Sequence, residues 1–215
     1  MSIDIMKINR ADCIKFQEFD EKYNVETSHP IVEAERKDYG DFKPSFIDNS
    51  DRFPGSRGYQ NTALLWIDEM NDYFSNVEKI EDYSFIDIGA GKGRAILHTL
   101  ATNDIYKDYT GLEIDPELAT IFMNNINSTN IKINKPVEVK CVDARDYICT
   151  NHPAVYFIFQ PFDQDGWNTF IEKNHETLKS AKAYFAFIHR GEYEWYKYFE
   201  TEPVLFTHGL TIIPT

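Results

Sequence analysis

The stretch DYSFIDIGAGKGRAILH, residues 82–98, sets the reading of the chain. A short apolar run, Phe85 to Ile88, carries one aspartate, Asp87. Gly89, Gly91 and Gly93 follow at alternate positions, and then Ile96, Leu97 and Leu100 fall on one helix face. A strand, a loop with almost no side chains and a helix are therefore expected in that order. Glycine removes the side chain where a backbone turns sharply or lets a ligand approach closely. The helix start that comes next offers unpaired N–H groups. A tight strand-to-helix turn without a ligand would also need glycines, so the rest of the chain has to decide.

Outward from the loop, strands and helices alternate. Upstream, Ala63, Ile67, Met70, Phe74 and Val77 recur at spacings of 4, 3, 4 and 3, the stripe of an amphipathic helix. Downstream, YTGLEI (109–114) reads as a strand and PELATIFMNNI (116–126) as a helix opening on Pro116 and Glu117. PVEVKCV (136–142) alternates as a strand, and AVYFIF (154–159) is continuously apolar, as in a strand covered on both faces. QDGWNTFIEKNHETL (164–178) predicts a helix, KAYFAFIHR (182–190) a strand, EYEWYKYF (192–199) a short helix and PVLFTHGLTIIPT (203–215) a closing hairpin. This alternation predicts an α/β fold, a doubly wound, mostly parallel sheet with an antiparallel edge from the hairpin. Residues 1–58 differ: they are polar, include Pro30, Pro44 and Pro54, and predict a helix over 10–23 followed by a long arm. They are expected to form an N-terminal extension, a candidate lid, ahead of one domain at 59–215.

Two phosphate-binding fingerprints fail at the loop. G-x-G-x-x-G requires its third glycine at 94, which is Arg94, and G-x-x-x-x-G-K-[ST] has no counterpart. Glu113, however, ends the next strand 20 residues after Gly93. An acid in that place accepts hydrogen bonds from ribose hydroxyls. Asp143 follows the strand VEVKCV and either accepts from an adenine amino group or caps a helical turn at DARDY.

The joint pattern FIDIGAGKGR, YTGLEIDPELA, VEVKCVDARDY and VYFIFQPFD resembles the class I S-adenosylmethionine-dependent methyltransferases over about residues 59–215. The resemblance implies a Rossmann-like sheet of seven strands with the last antiparallel, and S-adenosyl-L-methionine as cofactor. It implies that Asp87, Gly89, Ala90, Gly91 and Gly93 border the methionine moiety and that Glu113 holds the ribose. Asp143 and Ala144 would address the adenine, and Gln160 would begin the loop near the methyl group. RGYQNTALLWIDEM together with FQPFD resembles small bacterial-type members that carry Asn-Pro-Phe after the fourth strand. They share a motif style with the non-SET histone lysine methyltransferases, whose Tyr-x-x-Thr segment reaches the cofactor; this implies roles for Tyr59 and Thr62. Gln160 stands where the triplet has Asn, and the triplet is not the Asn-Pro-Pro-Tyr of enzymes acting on exocyclic base amines.

Methyl transfer from a sulfonium requires alignment and exclusion of water, and a base can take the acceptor's proton. Asp163, Asp165, His189 and Tyr193 lie near predicted strand ends, with His189 and Asp163 the catalytic candidates. Tyr193, Trp195, Tyr196, Tyr198 and Phe199 crowd together, either as packing at the sheet edge or as an aromatic wall for an acceptor. Lys plus Arg total 22 against 35 Asp plus Glu, a net charge of −13 without a basic run. Such a field repels a phosphate backbone, so a protein side chain or small molecule is expected as acceptor and nucleic acid is not. Cys13, Cys141 and Cys149 show no metal-ligand spacing, so no metal is expected, and Cys141 is expected in a buried strand. No apolar run approaches the roughly 18 residues of a membrane span, and the N-terminus lacks a signal-peptide core, so a cytoplasmic protein is expected. Two other functions stay open: a cofactor-binding partner or sensor without catalysis, and an NAD-dependent oxidoreductase, against which Arg94 counts.

Overall fold

The computed structural model describes residues 10–28, 52–54, 62–188, 198–207 and 209–215, with side chains from residue 17 onward. The helices are α1 (Arg10–Tyr23), α2 (Leu64–Phe74), α3 (Arg94–Thr102), α4 (Pro116–Ser128) and α5 (Gln164–Ser180). The strands are β1 (Ser84–Ile88), β2 (Asp108–Glu113), β3 (Val137–Cys141), β4 (Ala154–Ile158), β5 (Ala183–Ile188), β6 (Leu205–Phe206) and β7 (Leu210–Pro214). They form one seven-stranded sheet in the order β3-β2-β1-β4-β5-β7-β6. The pairs from β3 to β5 are parallel, and β7 runs antiparallel between β5 and β6. This is the Rossmann-like fold expected, with the terminal hairpin placed so that its second strand is the inner one.

The alternation along each strand explains the two layers. Phe85, Val155, Phe157, Ala186 and Ile188 face one core, shared with Ile67, Met70 and Phe74 of α2, Ile96 and Leu97 of α3, and Phe122 of α4. Ile86, Tyr156, Ile158, Phe185 and Phe187 face the other, against Trp167, Phe170, Ile171 and Leu178 of α5. β4 is buried at every position, as its unbroken apolar run requires. Phe19 of α1 joins the first core, so the helix packs on the same layer as α2 and α3.

Chain order creates the crevice. The path runs outward from β1 to β2 and β3 and then returns to β4 on the other side of β1. Ligands of doubly wound sheets bind where the order reverses, outside the carboxyl ends of the strands. Asp87 sits near that end of β1, beside Gly111 of β2 and Phe157 of β4.

Cys141 corrects an expectation: it is exposed, because β3 is the sheet's edge strand, while Cys149 is buried. Of the predicted helix 192–199 only Tyr198 and Phe199 are described, and neither is helical; the rest lies outside the described residues. Among the described residues no helix is long and apolar enough to cross a membrane.

Candidate functional site

The glycine loop is fixed by what it touches. Gly89 has φ +78° and Gly93 φ +85°, the left-handed region that favours glycine. A Cβ on Gly89 would lie 2.6 Å from Cβ of Pro161, in the turn after β4. A Cβ on Gly93 would lie 2.0 Å from the Phe122 ring, which also occupies the space a side chain on Gly111 would need. The backbone N–H groups of Gly89 and Ala90 both donate to the Leu112 carbonyl at 2.9 Å, laying the loop on the end of β2.

Glu113, the last residue of β2, closes the arrangement. Its Oε2 accepts from Gly91 N at 2.7 Å and its Oε1 from Asp115 N at 2.8 Å. The carboxylate is buried and cannot rotate without breaking both bonds. The Ile114 amide also reaches the carboxylate, whose roughly four acceptor positions still leave room for a further donor. Burial raises the Glu113 pKa, and the amides of Asp115 and Gly91 offset only part of that rise. Asp87, also buried, is pushed up to about 8 by burial and then by the Glu113 charge. Lys92 of the loop and Arg94 at the start of α3 engage the segment after α1: Lys92 Nζ lies 2.7 Å from Glu26 Oε1, and Arg94 Nη2 donates to Ser28 Oγ at 3.1 Å.

The end of β3 is adjacent, since Val142 N donates to the Glu113 carbonyl at 2.9 Å. Asp143 caps a short 3₁₀ turn, Ala144–Asp146, by accepting from Arg145 N at 2.9 Å. Its carboxylate also accepts from Arg145 Nε at 2.9 Å and Nη2 at 2.5 Å. Burial pushes the Asp143 pKa up, but the Arg145 hydrogen bonds and charge outweigh it and hold the carboxyl below its ordinary value. Of the two readings of Asp143 left open by the sequence, the structure displays the cap. Ala144 is buried beside it.

The other predicted residues that are described sit on separate elements. Gln160 begins the turn after β4 with φ +49°, immediately before the proline that packs on Gly89. Thr62 is buried just ahead of α2. Asp163 caps α5, its Oδ1 accepting from Gly166 N at 2.9 Å. Tyr59, His189 and Tyr193 lie outside the described residues. Three contributors escaped the sequence: Asp115, Arg145 and Arg52. Asp115 caps α4 through Glu117 N at 2.9 Å and lies 3.4 Å from Arg52 Nη1. Its place before Pro116 was a readable signal, as was Arg145 two residues after Asp143.

No family model matches the sequence, and no curated protein matches it. Solved structures do match. The chain is similar to a SAM-dependent methyltransferase from Leishmania major at TM-score 0.51 and 10% identity, over 69% of this chain and 70% of that one. It overlaps the 23S rRNA methyltransferase ErmE at TM-score 0.45 and 13% identity, over 68% of this chain and 66% of the other. It overlaps the plantazolicin methyltransferase BpumL, crystallised with SAH, at TM-score 0.38 and 15% identity, over 59% of this chain and 47% of that one. What the chain shares with the Leishmania protein at this identity is the fold.

Proposed function

We propose that the chain is an S-adenosylmethionine-dependent methyltransferase acting on a protein side chain or small molecule. The observation that carries this is the buried acid pair, Asp87 and Glu113, at the glycine loop. Asp87, buried beside the glycines, disfavours the anionic pyrophosphate of a dinucleotide, while Glu113 at the strand end suits a ribose in either kind of ligand. Together they favour a ligand with cationic groups and ribose hydroxyls, which relieves the burial penalty on both. The sheet agrees: the dinucleotide fold has the order 3-2-1-4-5-6, whereas here an antiparallel strand is inserted beside β5.

The residues fit such a cofactor. Glu113 is already oriented by two backbone amides, with lone pairs left for the ribose hydroxyls. Asp87 draws the ammonium of the methionine end toward the loop, and Asp143 with Ala144 borders the adenine. When bound, the cofactor supplies a sulfonium-held methyl that an acceptor lone pair takes in line, the carbon–sulfur electron pair returning to sulfur. The chain's part is alignment and exclusion of water. Gln160 offers a carbonyl to an acceptor N–H, and His189 and Asp163 are the candidates to take its proton. The net charge of −13 sets the preference against nucleic acid as acceptor.

Calorimetric titration with S-adenosylmethionine, S-adenosylhomocysteine and NAD tests the proposal. Wild-type protein should bind the first two at micromolar levels, and Glu113→Ala should lose both. Binding of NAD alone would overturn it. Labelled-methyl transfer onto amines, proteins and metabolites then separates an enzyme from a cofactor-binding partner or sensor.

A further inference from the structure

Residues 52–54 link two turns at the carboxyl end of the sheet. On one side Arg52 Nη1 lies 3.4 Å from Asp115 Oδ2, and Nη2 lies 3.9 Å from Glu117 Oε1, at the turn between β2 and α4. On the other side Arg145 Nη1 donates to the Pro54 carbonyl at 3.0 Å, from the turn after β3. Those turns carry Glu113 and Asp143. A ligand with its ribose on Glu113 and its adenine toward Asp143 and Ala144 would occupy the interval that residues 52–54 span. The side chain in the middle is Phe53. It is half-buried while Arg52 and Pro54 are exposed. The Arg52 guanidinium lies 5.3 Å from the centre of its ring, a cation–π contact that steadies it.

We infer that Phe53 supplies the aromatic face against which the adenine of the cofactor rests, with Arg52 and Arg145 holding that face over the site. This rests on the methyl-donor assignment above. It adds an adenine-binding residue from the N-terminal extension, more than 30 residues before the glycine loop. Arg145 then has two tasks: it occupies the Asp143 carboxylate and it anchors the strip of chain carrying Phe53. Removing an aromatic ring stacked on a base weakens binding by roughly tenfold, which titration resolves.

The test is calorimetric titration of the full chain and its Phe53→Ala, Phe53→Leu and Phe53→Trp variants. The probes are S-adenosylhomocysteine and 5′-methylthioadenosine, which keeps the adenosine and lacks the amino-acid end. Phe53→Ala should weaken both by the same factor, roughly tenfold. Phe53→Leu, which keeps apolar bulk without a π face, should weaken both nearly as much, and Phe53→Trp should bind like wild type. Thermal melts that superimpose for all four proteins would show that the loss is not one of folding. Unchanged binding by Phe53→Ala, or a loss confined to S-adenosylhomocysteine, would overturn the inference while leaving the cofactor assignment intact. Failure of the wild-type chain to bind either probe would overturn both.

Discussion

At Asp87 stability and ligand binding pull in opposite directions. Its pKa in the folded chain, about 8, lies above the ordinary 3.8. Between those values the native state holds a proton that the unfolded state has released, so stability is full below the lower value. It then falls as pH rises through the window, by at most about 1.4 kcal/mol per pH unit for one group. Urea melts from pH 5 to 8 should show this decline in wild type and a flatter profile, with higher stability at pH 8, in Asp87→Asn. The same variant should bind S-adenosylmethionine more weakly, because the ionised carboxylate that burial disfavours is the form that a bound cation would stabilise. At Gly93 the expectation is steric. Gly93→Ala places a methyl 2.0 Å from the Phe122 ring at φ +85°, and should cost about 3 kcal/mol or more in thermal or urea melts. The glycines and Glu113 were legible because spacing from a strand end is a sequence property. Arg52 was not, because its contact with Asp115 joins residues 63 apart and leaves no local pattern.

Among the elements, the segment after α1 does more than connect. Glu26 N donates to Asn125 Oδ1 at 2.7 Å, and Asn125 Nδ2 donates back to the Glu26 carbonyl and to Lys92 O. Asn125 of α4 thereby joins the N-terminal extension to the glycine loop, and Glu26 neutralises the buried Lys92. Glu26→Ala leaves that ammonium with the Ser28 carbonyl at 3.4 Å. Because the Glu26 carboxylate is largely solvated, the cost should be about 1 kcal/mol, a fall of about 2–4 °C in melting temperature for a domain of this size. α1 itself was legible from its apolar spacing, and so were the buried strands from their uninterrupted runs. The exposure of β3 was not, because whether a strand is an edge depends on sheet order and not on its own residues. The 3₁₀ turn at Ala144–Asp146 was half legible: its cap was a known option for Asp143, but the Arg145 clamp that occupies the carboxylate was not anticipated.

For the whole molecule, alternation of periodicities was enough to give an α/β sheet with helices on both faces. It does not give strand order, since every permutation of parallel strands buries the same runs. The antiparallel edge was legible in the closing hairpin as well as in the family resemblance, but the inner position of its second strand beside β5 came only from the structure. That position has a consequence for how the sheet is held together. The strands that bear the crevice, β3 through β4, are complete by residue 158. β6 precedes β7 in the chain, yet among the described residues its sheet partner is β7 alone. Residues 205–206 therefore join the sheet only through residues 210–214, which pair with β5 on their other side. Among the described residues β7 is thus the single ladder link between β6 and the parallel strands, so a break in its pairing would release β6 along with it while β3, β2, β1 and β4 keep their own ladders.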